Sequence, residues 1–127
     1  MTPEATEHLA KSGQCLARAR AILAAGVGED AARNAYLAAF HAAQALIVER
    51  TGKDAKTHKG VDSQFARLTK DEPRLGRELR QFLAYAYDMK SIADYGLGPN
   101  ADIPLDRAGA AIDTAERFVS QIRELLP

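Results

Sequence analysis

Apolar side chains recur every three or four positions along most of this chain, which is the spacing that lines one face of a helix rather than the alternation of a strand. Leu9, Leu16, Ile22 and Leu23 keep that rhythm through residues 4–25, with Cys15 and Ala19 beside them, and Gly26 stands where a helix C-terminus uses glycine. A second helix is predicted over 29–51. Ala35, Ala39, Ala42 and Leu46 share one of its faces, and Phe40, Ala43, Ile47 and Val48 make its middle apolar nearly all round, the pattern of a helix covered on several sides. Gly52 ends it.

The polar run Lys53, Asp54, Ala55, Lys56 then leads to Thr57, a good N-cap for a short third helix with Val61, Phe65 and Leu68 on one stripe. Pro73 suits the first turn of a fourth helix, whose core face reads Leu75, Leu79, Phe82, Ala86, Met89 and Ala93. From Tyr95 to Pro104 the density of Gly96, Gly98, Pro99 and Asn100 predicts the one long loop. The last helix runs from about Leu105 to Leu126 with Leu105, Ala108, Ile112, Ala115, Val119, Ile122 and Leu126 in phase. The expectation is an all-α fold, an antiparallel bundle of four long helices plus one short helix, in a single domain over 1–127.

Composition strengthens that reading. The chain has 25 alanines against four valines, which pushes intrinsic propensity toward helix. With 127 residues, 46% of them apolar and 27% charged, a core can form without disulfides or metal. Cys15 is alone, so no internal disulfide is possible and a reducing cytoplasm is the expected location. The start Met1, Thr2, Pro3, Glu4 lacks a charged-then-apolar leader, and no apolar run approaches the ~20 residues that span a bilayer, so neither secretion nor a membrane is expected. Formal net charge is zero. Any nucleic-acid contact must therefore use a local patch, and residues 53–80 offer a mild one, with eight Lys or Arg against five acids.

Three groups of residues carry candidate chemistry, and each has a plain structural alternative. Arg33, Tyr36 and Phe40 share a stripe of the second helix with His41 beside them. They form either part of a site or the wet start of a buried helix with a satisfied core histidine, and a carboxylate should face Arg33 in either case. Thr57, His58, Lys59 and Gly60 open the third helix, where free N–H groups favour an anion, or else form an ordinary cap with a solvated lysine. Tyr87, Lys90 and Asp94, with Ser91 and Tyr95 adjacent, make a polar strip at the end of the fourth helix. Lys90 and Asp94 could be a simple i, i+4 pair, yet an acid there opposes the helix dipole. His8, His41 and His58 lack the spacing of helical metal sites, so no metal and no cofactor are expected.

Read in order, Arg33, Tyr36, Phe40, His41 and Ala42, then Thr57, His58, Lys59, Gly60 and Val61, then Lys90, Ala93, Asp94 and Tyr95 resemble the landmarks of the HEPN family, helical proteins often found beside small MNT-type nucleotidyltransferases in toxin–antitoxin pairs. The likeness covers about residues 28–126. It implies a homodimer with the end of the fourth helix near the interface. In nucleolytic members that helix carries an Arg followed four to six residues later by a His, and it cuts RNA without metal. Here Lys90 replaces the Arg and Asp94 stands where the His would be. In members paired with nucleotidyltransferases a tyrosine just after the motif can accept a nucleotide, and Tyr95 matches that position.

The resemblance favours a binding and regulatory dimer, one half of a toxin–antitoxin-type pair with a nucleotidyltransferase partner and a degenerate motif. Its rival is a weak or conditional metal-independent endoribonuclease using Lys90, Asp94 and His41 or His58. A third reading is a nucleotide or small-ligand binder built on the Thr57–Gly60 turn.

Overall fold

The computed structural model describes residues 1–98 and 102–127; Pro99 and Asn100, expected in the long loop, lie outside them. Among the described residues five helices follow one another: α1 (Pro3–Ala24), α2 (Gly28–Thr51), α3 (His58–Thr69), α4 (Arg77–Tyr95) and α5 (Leu105–Leu125). The chain is all-α, as its periodicity predicts. Gly26 and Gly52 follow α1 and α2 with φ of 84° and 75°, the left-handed conformation that ends a helix without a Cβ penalty.

Helix α2 packs against each of the other four and is the axis of the molecule. Fourteen of its 24 residues are buried, most of them alanines, so the nearly all-round apolar stretch read from the sequence is a central helix. Its partner α1 meets it through Ala5, Leu9, Ser12, Cys15 and Ala19. That line differs from the stripe expected there: Leu16, Ile22 and Leu23 are only partly buried. Small residues take the seam because they let two backbones approach closely, and the larger leucines are left to its edge. Ser12 is buried within the seam and donates to the Ala38 carbonyl at 2.7 Å. Burial raises the Cys15 thiol pKa, which makes it a packing residue rather than a reactive one.

Three further expectations need correction. Pro73 does not start α4, which begins four residues later with Gly76 at its N-cap. Glu72 accepts from the Arg74 backbone N–H and side chain, and the Leu75 N–H donates to the Glu72 carbonyl, so this segment closes as turns. Leu75 is still a core residue, inserted from that turn. Leu105 is 48% exposed, and Ile103, two residues earlier, is buried in its place with its N–H donating to Glu29. Finally, Phe118 belongs to the core although it lies off the stripe expected for α5. It is fully buried, with ring centroids 5.2 Å from Phe65 and 6.0 Å from Phe82, and so joins α3, α4 and α5.

Candidate functional site

The sequence brings polar groups onto the same seam from three helices. Helix α2 supplies Arg33 and Tyr36 from its first half, α3 supplies His58 from its first turn, and α4 supplies Tyr87, Lys90 and Asp94 at successive turns of one face. The carboxylate that Arg33 requires is Asp94. Arg33 donates to its Oδ1 through Nε at 2.8 Å, its Nη2 lies 2.6 Å from the same oxygen, and Lys90 Nζ lies 2.7 Å from Oδ2. The remaining arm of the guanidinium pairs with Asp30, one turn earlier on α2.

The charges fix one another. Hydrogen bonds from Lys90 and Arg33 hold the Asp94 carboxyl below the usual carboxylate range, and the bond to Asp94 raises Lys90. Burial works against the charge on Arg33, but its bonds to Asp94 and Asp30 outweigh it, and its pKa is also raised. All three groups are ionised near neutrality.

Beside this triad lies an aromatic cluster. The His58 imidazole stacks on the Tyr87 ring with centroids 3.6 Å apart, and Lys90 Nζ sits 5.9 Å from the same ring. The Tyr36 hydroxyl is 2.9 Å from His58 Nδ1. Burial pushes the Tyr36 phenol up and the His58 imidazole down, so Tyr36 keeps its proton, His58 is neutral, and one hydrogen bond joins the hydroxyl to Nδ1.

His41 is not part of this cluster. Its Nδ1 faces Gln44 Oε1 at 2.8 Å, and Gln44 Nε2 donates to the Ala55 carbonyl, so the amide oxygen must accept and His41 Nδ1 must donate. The His41 ring stacks 6.1 Å from His8, which reaches Asp54 at 3.1 Å. Burial lowers the His41 pKa. This second cluster ties α1 to α2 and to the connector before α3. Thr57 caps α3 by accepting from the Gly60 N–H at 3.0 Å, Lys59 is exposed on the first turn, and Tyr95 is 79% exposed at the end of α4. Among the described residues no group of three or more His, Cys, Asp or Glu side chains is arranged to hold a metal ion, and no helix is long and apolar enough to cross a membrane.

Sequence reasoning missed Asp30, although its i, i+3 spacing from Arg33 is a readable signal. It also missed the bond between His8 and Asp54, which are 46 residues apart and have no local signature.

The two depressed histidines give a pH prediction. A histidine whose pKa is lowered by folding binds its proton more readily in the unfolded chain, so its contribution is complete above the unfolded value of about 6.5 and is lost as pH falls below it. Thermal melts should show Tm falling between about pH 7.5 and pH 5. The slope should flatten in the His41→Gln, His58→Gln double variant, and an unchanged slope there would assign the effect to other groups.

The three landmark blocks of the sequence thus converge on one seam in space. A match to the HEPN domain extends over residues 5–125. The chain belongs to the HEPN family. A relative from Archaeoglobus fulgidus, described as a UPF0332 protein, is 31% identical over 98 residues, which is 77% of this chain and 75% of that one. The crystal structure of TT1696 from Thermus thermophilus has the same fold, with a TM-score of 0.84 at 23% identity over 98% of this chain and 100% of that one. In this HEPN domain the match begins within α1, so the first helix is part of the family's architecture although it carries none of the landmarks.

Proposed function

We propose that this HEPN protein is a dimeric binding and regulatory protein, one half of a toxin–antitoxin-type pair whose partner is a small nucleotidyltransferase. The observation that carries the reading is the charge triad that Lys90 and Asp94 of α4 form with Arg33 of α2. A metal-free cut in RNA needs a group that exchanges a proton near neutral pH, and Asp94, held ionised by Arg33 and Lys90, is a poor one. The motif position is therefore occupied by an ion cluster rather than by an acid–base group.

Tyr95, immediately after the triad and 79% exposed, is the acceptor in this reading. Its hydroxyl oxygen attacks the α-phosphorus of a nucleoside triphosphate held by the partner, the bond to the β-phosphate breaks, pyrophosphate leaves, and the phenolic proton passes to a base of the transferase. Coexpression with the neighbouring transferase should give copurification and, by intact-protein mass spectrometry, one or more added nucleotidyl groups. Tyr95→Phe should abolish the addition and leave the dimer intact by light scattering. No added mass with an active partner, or the same addition in the Phe variant, rules out this acceptor.

A ribonuclease reading has one observation in its favour: His58, a group of the right chemistry, stacks on Tyr87 close to Lys90. Labelled RNA in chelator separates the two. Robust cleavage that is lost in both Lys90→Ala and His58→Ala would replace the regulatory reading.

A further inference from the structure

The flank of α4 turned away from the charge triad faces α5 across a slot. Tyr85 and Tyr87 are two residues apart, a rotation of roughly 200° about the helix, so the helix that gives Tyr87 to the seam gives Tyr85 to its other side. The slot has a volume of about 330 Å³, at the lower end of the ~300–1,000 Å³ that ligand pockets occupy. Its origin lies in side-chain size. Along one face of α5 stand Ala110, Ala111 and Thr114, whose short side chains leave space opposite Phe82 and Tyr85 of α4. The Phe82 ring is buried, and the Tyr85 ring, its centroid 6.4 Å away, is 45% exposed. Two contacts cross the gap and close its ends, Glu78 with Arg117 and Tyr85 with Arg107. Glu78 and Tyr85 are two helical turns apart, which makes the slot about 10 Å long.

The two ends differ in charge. At one, Glu78 and Arg117 neutralise each other, and Arg117 also donates to the Thr114 hydroxyl. At the other, the Arg107 guanidinium lies 6.0 Å from the centre of the Tyr85 ring with Nε 3.5 Å from its hydroxyl, and among the described residues no carboxylate pairs with it. Asp106, beside it in sequence, accepts from the Arg107 backbone N–H instead. We propose that this slot binds a planar aromatic carboxylate of about the size of an indole acid, its ring against Tyr85 and over the α5 alanines and its carboxylate on the guanidinium of Arg107. The ring covers apolar surface that neither helix covers, and the guanidinium fork matches a carboxylate. A nucleotide fits less well. Its base has several polar edge atoms that need partners, whereas the Thr114 hydroxyl is already engaged by the Ala110 carbonyl and Arg117, which leaves the Gln81 amide and the Tyr85 hydroxyl. The site is independent of Asp94, of Tyr95 and of a transferase partner.

The chain has no tryptophan, so the emission of an indole probe is seen on a dark background. Indole-3-acetate titrated with the full chain should show a saturable blue shift with a Kd below about 1 mM. Arg107→Gln should weaken this binding about tenfold and leave that of uncharged 3-methylindole unchanged. Ala110→Leu, a change at an exposed position, should abolish binding of both probes with Tm unaltered. Should that variant lower the Tm, Tyr85→Ala takes its place and should weaken both probes. An unshifted emission with the wild type overturns the proposal, as does binding that neither Arg107→Gln nor Ala110→Leu changes. AMP that displaces the probe with a lower Kd than indole-3-acetate replaces the aromatic carboxylate with a nucleotide. No binding by the wild type, together with a changed oligomeric state of Ala110→Leu in light scattering, assigns the slot to a contact between copies of the chain and rejects the ligand.

Discussion

Phe118→Ala should lower the free energy of unfolding by about 3–5 kcal/mol, a large part of the ~5–15 kcal/mol that a domain of this kind has in total. The ring is fully buried between Phe65 of α3 and Phe82 of α4, so its loss opens a cavity at the junction of three helices. Alanine cannot fill it, and the Phe65–Phe118 contact between α3 and α5 is lost with the ring. Urea denaturation followed by circular dichroism should show the midpoint falling with the slope unchanged. Phe118→Leu should recover most of the loss. A cost below about 1 kcal/mol for the alanine variant would mean that the neighbouring helices collapse into the space.

Gly28→Ala gives the second large effect, and here two physical terms have opposite signs. Alanine is the better helix former by about 1 kcal/mol, and Gly28 is the first residue of α2, so propensity alone predicts stabilisation. Packing predicts the reverse. A Cβ at this position would lie 2.0 Å from the Ile103 carbonyl oxygen and 3.1 Å from its carbon, and both are backbone atoms that no rotamer change can move aside. The entry to α5 would have to shift off α2, taking the buried Ile103 side chain and its bond to Glu29 with it. Overpacking of this kind costs about 1–3 kcal/mol and outweighs the propensity term. Differential scanning calorimetry should show a lower Tm, with amide exchange rising first at Ile103 and in the first turn of α5. A higher Tm would mean that propensity wins and that the contact is slack.

The fold was legible because its signal is local. Every helix announces itself through a period of three to four residues and through punctuation at Gly26, Gly52 and Thr57, which act on their own neighbours. The errors fell where tertiary contact overrides that local signal. Pro73 is compatible with a helix start, but the chain there closes around Glu72 and Arg74 instead. Leu105 has the right phase, but Ile103 reaches the core first. In α1 the periodicity is real and its phase is off, because periodicity cannot show that α2 presents alanines and so prefers small residues opposite.

The candidate site was legible in its members but not in its wiring. Arg33, Tyr36, His58, Lys90 and Asp94 can each be read from the chain, whereas their assembly into one triad and one aromatic stack depends on contacts 22 and 61 residues apart. His41 illustrates the limit. Its neighbour in sequence, Phe40, touches the Tyr36 ring, while its own side chain turns toward Gln44 and His8. One residue of helix rotation is enough to move it from one cluster to the other.

The alanine seam between α1 and α2 has a consequence for how the two helices find their alignment. Most of the side chains in this seam are small, the alanines of α2 against Ala5, Ser12, Cys15 and Ala19 of α1, so packing distinguishes one turn from the next only weakly. What forbids the slip is a set of pins: the Thr2 N–H on Glu49 at 2.7 Å, the Ser12 hydroxyl on the Ala38 carbonyl, and His8 on Asp54. A one-turn slide would unmake the present bonds, and no second carboxylate stands one turn from Glu49 or Asp54 to replace them. The hairpin thus closes like a combination lock, held by smooth contact and opened or shut only where every polar pin lines up.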